Sequence, residues 1–107
     1  MEEPIHKMSH DGYPTEQFLE WIEKYDVSKG DPFWFIQIIL DEWYHGDYGW
    51  RIQRQFKGER TIYISTLGWS GNEDMMYALE KNFMFWTLFY YSHRRGGHYV
   101  FKLRKIN

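Results

Sequence analysis

The chain contains no cysteine. Disulfides, thiol nucleophiles and thiolate-bound zinc or iron–sulfur centres are excluded together, and the sequence suits a reducing compartment. It has no long apolar run either: the longest, Phe33 to Leu40, is interrupted by Gln37 and is far too short to span a bilayer. The start, Met1-Glu2-Glu3, is acidic and no apolar stretch follows it, so no export signal is expected there. There is no internal repeat, no low-complexity tract and no large excess of charge of one sign. The formal net charge of −2 predicts no general affinity for nucleic acid and no sequence-specific DNA binding. A chain of 107 residues makes one domain, which buries roughly 65% of the surface exposed by its unfolded chain.

What the sequence has in abundance is aromatic rings: six Trp, nine Tyr and eight Phe, 21% of the chain. Each buries about 150–250 Å² when covered. A core this small does not enclose them all, so some are expected on a binding or assembly surface. The charges are also segregated. Residues 1–47 hold eleven acids against three lysines, net −8, and residues 48–107 hold four acids against ten bases, net +6. The near-neutral total therefore conceals a dipolar molecule.

Residues 1–13 lack periodicity and read as a loose arm; residues 14–107 read as a single α+β domain. Thr15 is placed to cap a first helix whose apolar stripe is Phe18, Trp21, Ile22 and Tyr25. Asp31-Pro32 opens a second helix, apolar nearly all round, that Gly46 ends with His45 at its negative dipole end. From Tyr48 the period becomes two: Trp50, Ile52 and Phe56 alternate with Arg51, Gln53 and Gln55. A turn at Lys57-Gly58-Glu59 leads to a return strand, Thr61 to Leu67. Ser70 and Glu73 have capping-box spacing before a third helix that ends near Asn82. Residues 84–92 read as a strand buried on both faces. His93-Arg94-Arg95-Gly96-Gly97 makes a turn, and residues 98–106 form the last strand. The expected order is ααββαββ, an antiparallel sheet with helices on one face.

Thr66-Leu67-Gly68-Trp69-Ser70-Gly71-Asn72-Glu73, Phe85-Trp86 and Arg94-Arg95-Gly96-Gly97-His98-Tyr99-x-Phe101 together resemble a group of small uncharacterised proteins of tailed phages and prophages. In that group a Gly-Trp-Ser-Gly-Asn-Glu turn precedes a helix and an Arg-Gly-Gly-His-Tyr turn joins the last strands. A second glycine often stands where this chain has Leu67. The resemblance covers roughly residues 13–106. It implies a viral accessory protein acting in the cytoplasm of a host cell, in the manner of proteins that disarm host defence by blocking a nuclease or sequestering a cyclic nucleotide signal. It implies no chemistry of its own.

Read from the residues, the glycine-flanked loop Gly68, Trp69, Ser70, Gly71 and Asn72 runs into a helix and presents backbone N–H groups at a positive dipole end, which suits phosphate. Arg94 and Arg95, with His98 and Tyr99 beyond them, would add bidentate contacts and a ring. The stronger reading of the same loop is a plain helix cap, with Glu73 and Asp74 opposed to any anion. It lacks the P-loop pattern and the glycine at 72 that a nucleophile elbow requires, so Ser70 reads as a cap and not a nucleophile. His6 and His10, with Asp11, sit in a segment without helical pattern and make no metal site; neither metal nor cofactor is expected. Trp43, Tyr44, Tyr48 and Trp50 have the composition of an interface hot spot, or else they plug the end of the core.

These readings lead to two expectations. The first is a non-enzymatic binder that sequesters a phosphorylated small molecule, foremost a signalling nucleotide. The second is a protein–protein inhibitor of a host defence or nucleic-acid-processing complex, with a homodimer or higher oligomer left open. A phosphodiesterase-like role for His93 or His98 ranks behind both, because no partner carboxylate or nucleophile accompanies them.

Overall fold

A computed structural model describes residues 2–105. Nine elements follow in order: helix α1 (Glu16–Lys24), helix α2 (Pro32–Asp41), the short helix α3 (Gly46–Gly49), strand β1 (Trp50–Arg54), strand β2 (Arg60–Ser65), helix α4 (Ser70–Lys81), helix α5 (Phe83–Phe89), strand β3 (Tyr90–Arg94) and strand β4 (His98–Leu103). The class is α+β, as expected. The four strands form one antiparallel sheet in the order β1-β2-β4-β3.

Register divides the sheet into two faces. Ile52 lies opposite Ile62, Ile62 opposite Phe101, and Phe101 opposite Tyr90. Ile62 and Phe101 are fully buried and Tyr90 is half-buried. This is the face that the helices cover. Successive side chains alternate across a strand, so the opposite face carries Arg51, Tyr63, Val100 and Ser92 in the neighbouring row. No described helix covers those residues in the way the first face is covered: Arg51 is exposed, and Tyr63, Val100 and Ser92 keep part of their surface in solvent.

The core is built from rings. Tyr25 stacks on Phe35 at 4.3 Å, Phe35 meets Phe85 edge-on at 5.4 Å, and Phe85 meets Phe101 at 5.5 Å. One chain of aromatics thus joins α1, α2, α5 and the sheet. Thr15 caps α1 through the N–H of Phe18 (3.1 Å), and Asp31 caps α2 through that of Phe33 (2.9 Å). The N-terminal segment lies against the start of α1. Thr15 donates to the carbonyls of His6 (2.7 Å, from its hydroxyl) and Lys7 (2.9 Å, from its N–H), and Met8 bridges Pro14.

Three sequence expectations are corrected. Residues 84–92 are not one strand: Phe83–Phe89 is a helix, and β3 begins only at Tyr90. Asn82 decides this. Its side chain accepts from the N–H of Phe85 (3.1 Å) as a helix N-cap and donates to the carbonyls of Ile22 (2.8 Å) and Tyr25 (2.9 Å) at the end of α1. Phe85 and Phe89, four apart, then share the buried side. The second helix stops at Asp41, not at Gly46, and His45 belongs to the next turn with φ +54°. The Ser70–Glu73 capping box does not form: Trp69 is the N-cap residue, with no side-chain hydrogen bond.

Candidate functional site

The two glycine-bearing turns leave the same end of the sheet. The C-terminus of β2 lies beside the N-terminus of β4, with Ser65 opposite His98. Just beyond that pair, the Thr66 N–H donates to the Gly97 carbonyl at 3.0 Å. Gly97 has φ +78°, and a Cβ there would collide with the Thr66 hydroxyl, so glycine is required on both counts.

Within the first turn, most polar and ring surface is already engaged. The Trp69 indole stacks on Tyr44 at 4.4 Å and on Tyr13 at 5.5 Å. Two ring contacts are thus already made where a base would stack. Gly71 packs against that indole: a Cβ would stand 2.9 Å from its nitrogen. Asn72 is fully buried. Its carboxamide oxygen accepts from the Tyr44 N–H (3.0 Å), and its nitrogen donates to the carbonyls of Tyr44 (3.1 Å) and Thr66 (3.2 Å). The Ser70 hydroxyl donates to that of Tyr13 at 3.3 Å. Gly68, at φ +70°, is exposed. The loop is a joint that ties the N-terminal segment, the end of α2 and the start of α4 together.

The aromatic quartet also divides. Trp43 is buried, its indole N–H donating to the Ser65 carbonyl at 2.8 Å. Trp50 is half-buried opposite Ile64. Only Tyr44 and Tyr48 are exposed. Tyr99 lies on the helix side of the sheet, stacked on His93 at 5.1 Å, and burial pushes its phenol above the usual tyrosine value.

What the register does bring together is a cationic recess on the open face. Arg94 sits opposite His98, and His98 opposite Ser65. One row along, Ser92, Val100, Tyr63 and Arg51 line up across all four strands. Tyr48, Arg51, Tyr63, Arg94 and His98 line a recess of about 370 Å³, together with Asp47. That volume is at the small end of ligand pockets. The Arg51 guanidinium lies 3.9 Å from the centre of the Tyr63 ring, a cation–π contact that holds it over the sheet. Among the described residues, the only ion pairs are Lys7–Glu3 and Lys24–Glu20. Neither Arg51 nor Arg94 is neutralised by one.

Of the residues marked in the sequence, Arg94, His98, Tyr99, Tyr48 and Trp50 all line this recess. Arg95 is exposed in the adjoining turn. Tyr63 and Ser65 were not among the marked residues, and Arg51 entered only with Gln53 and Gln55, as a strand face that can contact phosphate but is usually just solvated. The alternation Arg51-x-Gln53 against Tyr63-x-Ser65 was the available signal, because it marks one solvent-facing side of a hairpin. Asp47 lines the recess itself, whereas Glu16, Glu20, Glu23 and Asp74 line a groove between α1 and α4, so Asp74 does not stand between the turns. No group of three or more His, Asp or Glu able to hold a metal occurs among the described residues, and no described helix is long and apolar enough to cross a membrane. No family model, curated protein or solved structure matches the chain.

Proposed function

We propose that this protein is a non-catalytic binder of a phosphorylated small molecule, foremost a nucleotide, and that the ligand lies on the open face of the sheet rather than in the Gly68–Asn72 loop. One observation carries the reading: two guanidinium groups without acidic partners, Arg51 and Arg94, share a recess with His98 and two tyrosines. Guanidinium pairs bidentately with phosphate. Tyr48, 76% exposed, offers a ring edge or face to a base. The role we assign is capture, because the serines of the recess, Ser65 and Ser92, make no hydrogen bond to His98 that would activate them. With the phage resemblance, such capture becomes a counter-defence activity in the host cytoplasm: a signal nucleotide is removed from solution.

Isothermal titration against mono-, di- and cyclic nucleotides tests the proposal. Binding is expected with at least one of them, with a loss of tenfold or more for Arg51→Ala and for Arg94→Ala. Both side chains are exposed, so neither change threatens the fold. Absence of binding across the panel, or wild-type affinity in both variants, overturns it.

The second reading, inhibition of a host protein complex, is favoured by one surface. Phe83 (81% exposed) and Met84 (42%) open α5 next to no covering element, and such exposure marks protein contacts. Retention of a host partner that Phe83→Ser releases would move the weight to that reading.

A further inference from the structure

The cationic recess is one end of a longer trough. A second recess of about 370 Å³ adjoins it on the same face and shares Tyr63 and Val100 with it. At this far end stand Lys102, Tyr91 and Phe56, together with Glu59. A β-bulge between Tyr90 and Ser92 turns Tyr91 onto the open face, since an inserted residue re-aims its neighbour. The Lys102 ammonium lies 3.9 Å from the centre of the Tyr91 ring.

The far end has the same chemistry as the near one: a cation without an ion-pair partner among the described residues, held over a ring, beside an exposed ring. The exposed rings are Tyr48, which precedes β1, and Phe56, which follows it; Phe56 is 86% exposed. The strand between them spans about 13 Å at ~3.4 Å per residue. One nucleotide cannot reach both. Along β4, His98 and Lys102 are four residues apart, so the two cationic ends are separated by about 13–14 Å. One acid lines each recess, Asp47 the near one and Glu59 the far one, and neither is within ion-pair distance of Arg51, Arg94 or Lys102. The remaining acids cluster in the N-terminal half, net −8 over residues 1–47, which turns a polyanion away from the helix side. The near-neutral net charge averages these two sides and so conceals the attraction.

We infer that the open face takes single-stranded nucleic acid, a short oligonucleotide of about three to four residues, whose phosphates lie on Arg94, Arg51 and Lys102 and whose end bases stack on Tyr48 and Phe56. The inference rests on the nucleotide-binding reading above and extends its ligand. Row-to-row spacing along a strand, about 6.8 Å, is comparable with the repeat of an extended polynucleotide backbone. Ring stacking is tolerant of base identity, so the recognition is not sequence-specific. A duplex has its bases stacked internally and cannot use the two exposed rings.

Fluorescence anisotropy with labelled oligothymidylate and oligouridylate of one, two, four and eight nucleotides, and with a duplex of eight base pairs, tests it on the full chain. Affinity is expected to rise with length up to about four nucleotides and then level off, with the duplex weaker than the single strand. With three phosphates neutralised, log K against log salt should have a slope of about −2, and Lys102→Gln should reduce it by about 0.7. Phe56→Ala should weaken the four-nucleotide strand roughly 5- to 150-fold, the loss of one stacked base, while leaving the mononucleotide unaffected. Equal affinity for one and four nucleotides, with no effect of Phe56→Ala, overturns the inference and leaves the single-nucleotide reading standing. Preference for duplex overturns the inference as well. No binding at any length overturns both.

Discussion

Removal of the Asn72 carboxamide is the sharpest test of what the Gly68–Asn72 loop is for. Three hydrogen bonds, to the Tyr44 N–H, the Tyr44 carbonyl and the Thr66 carbonyl, converge on a side chain with no exposed surface. Each is worth about 1 kcal/mol net, and the backbone groups left behind have little access to water. Asn72→Ala should therefore cost about 3–4 kcal/mol. Against a total stability of about 5–15 kcal/mol, and at about 4–8 °C per kcal/mol for a domain of this size, the melting temperature should fall by about 12–32 °C, as read by circular dichroism. Asn72→Asp keeps the acceptor for the Tyr44 N–H but loses both donors and sets a carboxylate against two carbonyls. Burial and those carbonyls raise its folded pKa above the unfolded value. The variant should then be most stable at acid pH, where the protonated carboxyl can donate, and lose stability as pH rises through the folded value. Nucleotide affinity, measured where the variants are folded, should be unchanged. A melting point lowered by less than about 4 °C together with lost affinity would refute the reasoning and return Asn72 to the ligand.

Asn82→Ala should likewise destabilise by about 3 kcal/mol, read from urea unfolding, because it removes the cap of α5 and two bonds to the end of α1; a cost under 1 kcal/mol would deny its role as the joint. Gly97→Ala should cost about 2 kcal/mol or more, from left-handed backbone and the clash with Thr66. Leu67→Gly should change stability by no more than about 1 kcal/mol, in the stabilising direction, since Leu67 already occupies φ +59°; equal costs at the two positions would contradict the backbone argument. Burial holds the Tyr25 phenol above the ordinary tyrosine value of about 10. The folded state thus favours the neutral form, so stability should be level below that value and fall as pH rises past it. In Tyr25→Phe the fall should be shallower; an unchanged alkaline slope in the variant would refute the assignment.

The elements with a local signature were legible in the sequence: Thr15 and Asp31-Pro32 as helix starts, the period-two residues of β1, and the turn at Lys57-Gly58, where both residues have positive φ. Residues 84–92 were not, because an apolar run has no period to read and the deciding contacts of Asn82 reach back some sixty residues to Ile22 and Tyr25. The site was legible in part for a similar reason. Arg94 and His98 stood out beside a glycine pair. Arg51 and Tyr63, however, acquire meaning only when cross-strand register sets them in one row with Ser92 and Val100. Trp69 misled in the opposite sense. A ring in a glycine-flanked turn reads as a stacking platform until its two neighbours, distant in sequence at Tyr13 and Tyr44, are seen to stack on it.

The most direct measurement is a residue-resolved map of the bound ligand: backbone and side-chain NMR shifts recorded while a nucleotide or short single strand is titrated into the labelled protein. The account predicts perturbations along Arg51, Tyr63, Ser65, Arg94, His98 and Val100, with the amides of Asn72 and the α1–α4 groove unmoved. Perturbations confined to Gly68–Asn72 or to the helix side, with the open sheet face silent, would contradict it.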